Sequence, residues 1–272
     1  MKSSLETQIE NHYRSPEVLE QLLQRLDDAA VTGETPAVDA LGAVDEFHTA
    51  GARATEFALG LLPLVREMNV LDAGCGIGGT ARRIAAHAGC RVTGIDLTDD
   101  FTQTATALTD RMKLSHLCQF LTGSVLRMPF ADNTFEVTVS FHVAMNIEAR
   151  RDFYNEVRRV TRPGGWFLSY DLVRGSNPEE LTFPMPWSSS PEGSFLLTAA
   201  ETQATLAECG FAEIQQHRLP PAPKPDSDNQ PPNNPAKPPN LLLGADAAQK
   251  VNNHKAAISD QRMEPLFFLA HR

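Results

Sequence analysis

Residues 70–80, VLDAGCGIGGT, constrain the fold of this chain more than any other stretch. Val70 and Leu71 read as the end of a buried parallel strand. Gly74, Gly76, Gly78 and Gly79 give a backbone that can turn sharply and let a ligand approach without a side chain in the way. Thr80 then opens a helix, TARRIAAHAG, whose Ile84, Ala85 and Ala88 can face a sheet. A strand, a tight turn and a helix N-terminus in that order open a doubly wound α/β sheet that holds a nucleotide-like ligand over its strand ends. Gly74, Gly76 and Gly79 also satisfy G-x-G-x-x-G, so the dinucleotide fingerprint of dehydrogenases competes.

Three features separate the readings. Asp72 stands at the carboxyl end of the strand, where a carboxylate repels a pyrophosphate but suits a cationic amino group, so an amino-acid-bearing cofactor is favoured. RVTGI (91–95) reads as a second strand that delivers Asp96 to its end, where a carboxylate can accept hydrogen bonds from two ribose hydroxyls. Both cofactor classes predict that acid. RVTRPGGWFLSYD (159–171) is a helix end, a Pro-Gly-Gly turn and a new strand, a block that dehydrogenases lack at this position.

Periodicity extends the pattern. Leu5, Ile9 and Tyr13, then Leu19, Leu22, Leu23 and Leu26, predict one or two amphipathic helices, and Asp45–Leu62 predicts another. Strands are expected at 69–73, 91–95, 118–122, 135–140 and 166–172, alternating with helices. Residues 173–197 break the alternation and read as a lid or substrate wall. Thr198 and Glu201 form a capping box for a helix that Gly210 ends, and Phe211–His217 supplies a sixth strand. Residues 219–240 hold nine prolines and read as an extended loop inserted within the domain. Beyond it, residues 241–258 predict a helix and 264–270 a last strand.

Composition excludes several function classes. A net charge of −10 without a basic stripe argues against nucleic acid. The longest apolar run, FALGLLPLV, is too short to span a membrane, and the start of the chain lacks the apolar core of a signal peptide, so a cytoplasmic location is expected. Cys75, Cys90, Cys118 and Cys209 show no metal-ligand spacing and read as free thiols, with no metal expected. Cys75 in the glycine turn reads as a small side chain under the cofactor, with a redox or nucleophilic role as the lesser alternative.

The motifs DEFHTAGARAT (45–55), VLDAGCGIGG (70–79), GIDL (94–97), GSVLRMPFADNTFEVTVS (123–140) and RVTRPGGWFL (159–168), in this order, resemble the class I S-adenosylmethionine-dependent methyltransferases. The similarity covers residues 45–217 and falls in the small-molecule branch related to ubiquinone/menaquinone and sarcosine/dimethylglycine methyltransferases. It implies a Rossmann-like, seven-stranded, mostly parallel sheet with an antiparallel terminal strand. It also implies a helical cap at 1–62 ahead of a methyltransferase domain at 63–272, with insertions at 173–197 and 219–240.

By this resemblance the cofactor is S-adenosyl-L-methionine. Asp72, Gly74, Cys75 and Gly76 lie at its methionine end, Asp96 at the ribose and Leu97 at the adenine. Relatives commonly place an Asp where Ser124 stands, so Ser124 or the Val125 backbone takes over the adenine contact. Phe141 passes the methionine moiety. His142, His48 and Tyr13 are the catalytic candidates, because methyl transfer needs alignment and, for some acceptors, one general base. The expected partner is a small-molecule methyl acceptor, with a homodimer left open and neither nucleic acid nor membrane involved. N-methylation of a small amine is the favoured reaction, and C- or O-methylation of a quinone or secondary metabolite is the alternative. A nicotinamide-dependent oxidoreductase and a catalytically silent S-adenosylmethionine-binding protein remain as readings from other classes.

Overall fold

A computed structural model describes residues 4–13, 18–29, 38–39, 41, 45–222 and 242–272. Seven strands form one sheet: β1 (Asn69–Ala73), β2 (Arg91–Asp96), β3 (Cys118–Thr122), β4 (Phe135–Phe141), β5 (Thr161–Arg174), β6 (Ala212–His217) and β7 (Met263–His271). Their order is β3-β2-β1-β4-β5-β7-β6, with β7 antiparallel to both neighbours. The helices are α1 (Ser4–Tyr13), α2 (Val18–Ala29), α3 (Ala52–Leu61), α4 (Gly79–Ala88), α5 (Asp99–Arg111), α6 (Arg150–Val160), α7 (Ala199–Glu208) and α8 (Ala247–Ser259). This is the mostly parallel, Rossmann-like sheet that the sequence predicts.

Burial on both faces explains the strand sequences. Parallel strands covered by helices on each side carry nearly continuous apolar runs, and β1 is buried from Val70 to Ala73. One core layer joins Phe153, Tyr154, Phe167, Leu266 and Phe268 beneath α6 and α7. The other joins Ala54, Ala58, Ile84, Val70, Tyr170 and Phe267 beneath α3 and α4. Phe267 and Phe268 point to opposite layers, as the two-residue period of a strand dictates, and Phe267 stacks on Tyr170 at 4.0 Å. Each such aromatic ring contributes about 1.5–3 kcal/mol by leaving water.

Local signals set the helix ends. Gly78, in the left-handed region at φ 84°, precedes α4, and Gly89, at φ 68°, ends it. Asp99 and Asp100 sit in the first turn of α5, where they complement the helix dipole. Thr198 and Glu201 make the reciprocal capping box of α7.

Three sequence expectations need correction or fall outside the described residues. Asp45–Leu62 is not one helix, because α3 begins at Ala52 and the chain before it turns through Ala50 at φ 67° and Gly51 at φ 46°. The predicted helix at 241–258 starts only at Ala247, since Leu242 and Leu243 are buried in a turn before it. Most of the proline-rich stretch, residues 223–240, lies outside the described residues.

The break before α3 has a physical cause. Arg82 on α4 is fully buried and donates to the Asp45 carboxylate, to Ile77 O at 2.9 Å, to Ala105 O at 3.2 Å and to Thr109 Oγ1 at 3.0 Å. Its neighbour Arg83 donates to Glu46 Oε1 at 2.6 Å and to Asp39 Oδ1 at 2.6 Å. The backbone of Asp45 comes so close to α4 that a Cβ on Gly79 would lie 1.9 Å from its carbonyl oxygen. Residues 45 and 46 are thus drawn onto the helix that follows the glycine turn and cannot continue into α3. Asp45→Ala strands part of a buried guanidinium and is expected to cost about 3–5 kcal/mol in a urea-unfolding measurement.

Candidate active site

The carboxyl ends of β1, β2 and β4 open into a cavity of about 880 Å³, where an open α/β sheet binds its ligands. The structure brings together every residue singled out from the sequence: Asp72, Gly74, Cys75, Gly76, Asp96, Leu97, Ser124, Val125 and Phe141, with Tyr13, His48 and His142, all line it.

One end has the chemistry of a nucleoside with an amino-acid tail. Gly74 N and Cys75 N both donate to Ile95 O, at 2.8 and 3.1 Å, which folds the turn back onto β2. A Cβ on Gly74 would sit 2.2 Å from Val143, whereas one on Gly76 would project into open space. Gly76 N and Thr98 N each donate to Asp96 at 2.9 Å, one to each carboxylate oxygen. The Thr98 side chain and Leu97 N also bond to it, so Asp96 is held rigid at the end of β2, where a carboxylate can accept from vicinal hydroxyls.

Asp72 is buried, and one of its oxygens has no hydrogen-bond partner. Burial, reinforced by the charges of Asp96 and Glu46, pushes its carboxyl up to about 7. A half-satisfied buried carboxylate is costly, and a cationic amino group is the natural partner. These residues therefore fit the aminobutyrate and ribose of an S-adenosyl group. Leu97, Thr98, Phe101 and Val125 line the far side. Ser124 accepts a bond from Leu126 N at 3.1 Å, so its hydroxyl is partly used in holding its own turn. Burial, with Asp96 and Asp72 nearby, raises the Cys75 thiol, which leaves it a poor nucleophile.

The other end is apolar with a few imidazoles. Met145, Trp187, Leu242, Leu243 and Val251 line it. His142 adopts φ 54°, held by His142 N donating to Tyr170 O at 2.7 Å, and its Nε2 is buried without a partner. Burial, with His48 and His254 nearby, holds its imidazole well below the usual range. His48 lies 5.9 Å from His142, ring to ring, and 4.9 Å from Phe141. Its Nδ1 is 3.4 Å from Thr49 O, which favours the Nδ1–H tautomer and leaves Nε2 toward the hydroxyls of Thr55 and Thr80. Burial takes His48 down to about 4. Both rings are therefore neutral and weakly basic. Tyr13 closes over the cavity from α1, bonded to the Asn146 side chain and 6.0 Å from Phe101.

Sequence reasoning missed several lining or supporting groups. Asp171 accepts from Ala144 N at 2.6 Å and Leu172 N at 2.8 Å, and so fixes the turn that presents Met145 and Asn146. Thr49 and His254 enter the cavity from the loop before α3 and from α8. The position of Asn146, just past the end of β4, could have flagged it; nothing in the local pattern marks His254. Residues 183–187 form a fixed wall: Met185 is fully buried, Trp187 Nε1 donates to Ser194 Oγ at 3.0 Å, and Asn253 Nδ2 donates to Pro184 O at 2.9 Å. Among the described residues no cluster could hold a metal ion, and no helix is long and apolar enough to cross a membrane.

Residues 71–169 match the family described as "Methyltransferase domain". The chain is similar to sterol 24-C-methyltransferase erg-4 of Neurospora crassa, 32% identical over 180 residues that make up 64% of this chain and 48% of that protein. It spans between about a third and a half of the length of the curated relatives it matches. Geranyl diphosphate C-methyltransferase from Streptomyces coelicolor A3(2) shares its fold with a TM-score of 0.67 at 15% identity, over 99% of this chain and 98% of that one. Haemonchus contortus phosphoethanolamine N-methyltransferase 2 does so with a TM-score of 0.63 at 16% identity, over 93% and 60%. Fold and site define the class: this is the class I S-adenosylmethionine-dependent methyltransferase fold. Within it, residues 71–169 are the part that matches the methyltransferase-domain family.

The Asp72 carboxyl gives a signed pH dependence. In the free protein its raised value means that the folded state binds an extra proton, a stability cost that grows as pH rises from the ordinary carboxylate range to about 7. A cationic amine binds the ionised form, so S-adenosylhomocysteine affinity should fall about tenfold per pH unit below that value, with proton release on binding. Calorimetry in buffers of different ionisation enthalpy checks this, and Asp72→Asn should flatten the profile.

Proposed function

We propose that this chain transfers a methyl group from S-adenosylmethionine to an alkene carbon of a neutral, apolar, isoprenoid-like small molecule. The observation that carries this reading is the pairing of an apolar acceptor end with neutral imidazoles of very low basicity. S-adenosylmethionine, when bound, supplies a methyl on a sulfonium, and its amino group and ribose hydroxyls match Asp72 and Asp96.

The basicity of the histidines distinguishes between acceptors. Methylation of a protonated amine needs a base for a proton with a pKa of roughly 10, far beyond His48, which burial takes down to about 4, or His142, which burial holds well below its usual range. Methylation of an alkene spends its π pair on the new C–C bond and leaves a positive carbon. The adjacent C–H pair then forms a new double bond, and the proton so released is acid enough for a weak base. His142 Nε2, buried and without a partner, suits that proton. Phe141 and Trp187 supply ring faces that can stabilise the passing charge.

The curated relatives support the same choice, since C-methyltransferases of sterols are among them. The favoured expectation of N-methylation thus gives way to its C-methylation alternative. A diphosphate acceptor fits less well: Lys255, exposed, is the one permanent cation lining the cavity among the described residues.

A panel of alkenes, amines and phenols incubated with carbon-labelled S-adenosylmethionine tests the reading by the site of the new methyl in NMR. Labelled nitrogen or oxygen would overturn it, and no labelled product alongside intact cofactor binding would indicate a silent binder. His142→Asn keeps a residue that tolerates positive φ. It should lower kcat by about 10²-fold while leaving S-adenosylhomocysteine affinity near that of the unmodified protein.

A further inference from the structure

The apolar end of the cavity contains one polar corner for which methyl transfer has no use. Thr49 Oγ1 lies 3.2 Å from His254 Nε2, and both residues line the cavity on the wall formed by the loop before α3 and by α8. Trp187 stands edge-on to His254 at 6.3 Å. The Thr49 backbone is separately occupied, its carbonyl accepting from Tyr170 OH at 3.1 Å, so the loop that carries the hydroxyl is fixed.

Half-burying a hydroxyl and an imidazole beside Trp187 is unfavourable unless their hydrogen bonds are completed. The pair has more capacity than it uses. One bond between them consumes one donor and one acceptor, and one donor and further lone pairs are left over. A ligand group that both donates and accepts can close this set, and a hydroxyl is the simplest such group. Burial takes the His254 imidazole down to about 4, so the corner carries no charge. An anionic group would find neutral partners here, with only exposed Lys255 beside them.

We propose that Thr49 and His254 form a binding site for a single hydroxyl of the methyl acceptor, anchoring an otherwise apolar molecule by its polar end. This rests on the apolar-acceptor reading above, but it concerns binding and needs no turnover. The acceptor is then an apolar alcohol, oriented so that its alkene, not its hydroxyl, meets the methyl group.

The test is equilibrium binding to the protein loaded with S-adenosylhomocysteine, followed by calorimetry and by tryptophan fluorescence in a Trp166→Phe background that leaves Trp187 as the reporter. Matched pairs of an alcohol and its deoxy hydrocarbon serve as probes, in open-chain prenyl and in 3-hydroxysteroid skeletons, with the corresponding prenyl carboxylic acid as a third arm. In the unmodified protein one skeleton should bind as the alcohol at least tenfold more tightly than as the hydrocarbon. Thr49→Val and His254→Phe should each erase most of that ratio while leaving hydrocarbon binding and S-adenosylhomocysteine affinity intact, and His254→Gln should restore part of it. Equal binding of alcohol and hydrocarbon in both skeletons, no binding of either, a ratio unchanged in both variants, or preference for the acid that Lys255→Gln removes would overturn the proposal. A preserved alcohol preference with no carbon methylation would instead count against the reaction and leave the corner standing.

Discussion

The buried contact between Arg82 and Asp45 joins two parts of the chain that the site cannot do without. Arg82 belongs to the helix after the glycine turn, and Asp45 begins the loop that carries Glu46, His48 and Thr49. The guanidinium pins the start of that loop, and Arg83 on Glu46 and Tyr170 on Thr49 hold the residues that follow. The contact is expensive in isolation, since both charges leave water, and three further acceptors offset part of that cost, while Arg82 Nε is buried without a partner. The same helix therefore presents its N-terminus to one ligand and its second turn to the wall that faces another.

The sheet was legible because its rules are local. Val70–Ala73 reads as a doubly covered strand from four residues, the capping box of Thr198 and Glu201 reads from spacing alone, and Asp96 follows from the end of a second apolar run. The loop at Asp45–Gly51 was not legible as a loop. Its sequence has helix-like spacing, and only a buried arginine 37 residues further on bends it away. His254 was missed for the same reason, because its significance lies in meeting Thr49 across 205 residues, and no periodicity encodes that.

Burial gives the cavity its chemical character more than residue identity does. Asp72, His48, His142 and His254 would each be charged or half-charged in water near neutral pH or somewhat below it, and each is pushed toward its neutral form. The site holds its acids and bases in reserve, with low Coulomb energy until a ligand brings a charge of its own. A cationic amine is the charge that the Asp72 side of such a pocket is suited to meet.

The position of β7 between β5 and β6 has a consequence for biosynthesis. Until Met263–His271 emerges, residues 166–174 of β5 have no partner on that side, and Ala212–His217 has no strand to pair with at all. A ribosome that has made everything through residue 222 exposes a long apolar edge able to template association with other chains. Residues lining the acceptor end, from Leu242 to Lys255, arrive in the same late interval. The last part of the acceptor wall and the strand that closes the sheet thus leave the ribosome one directly after the other, late in synthesis.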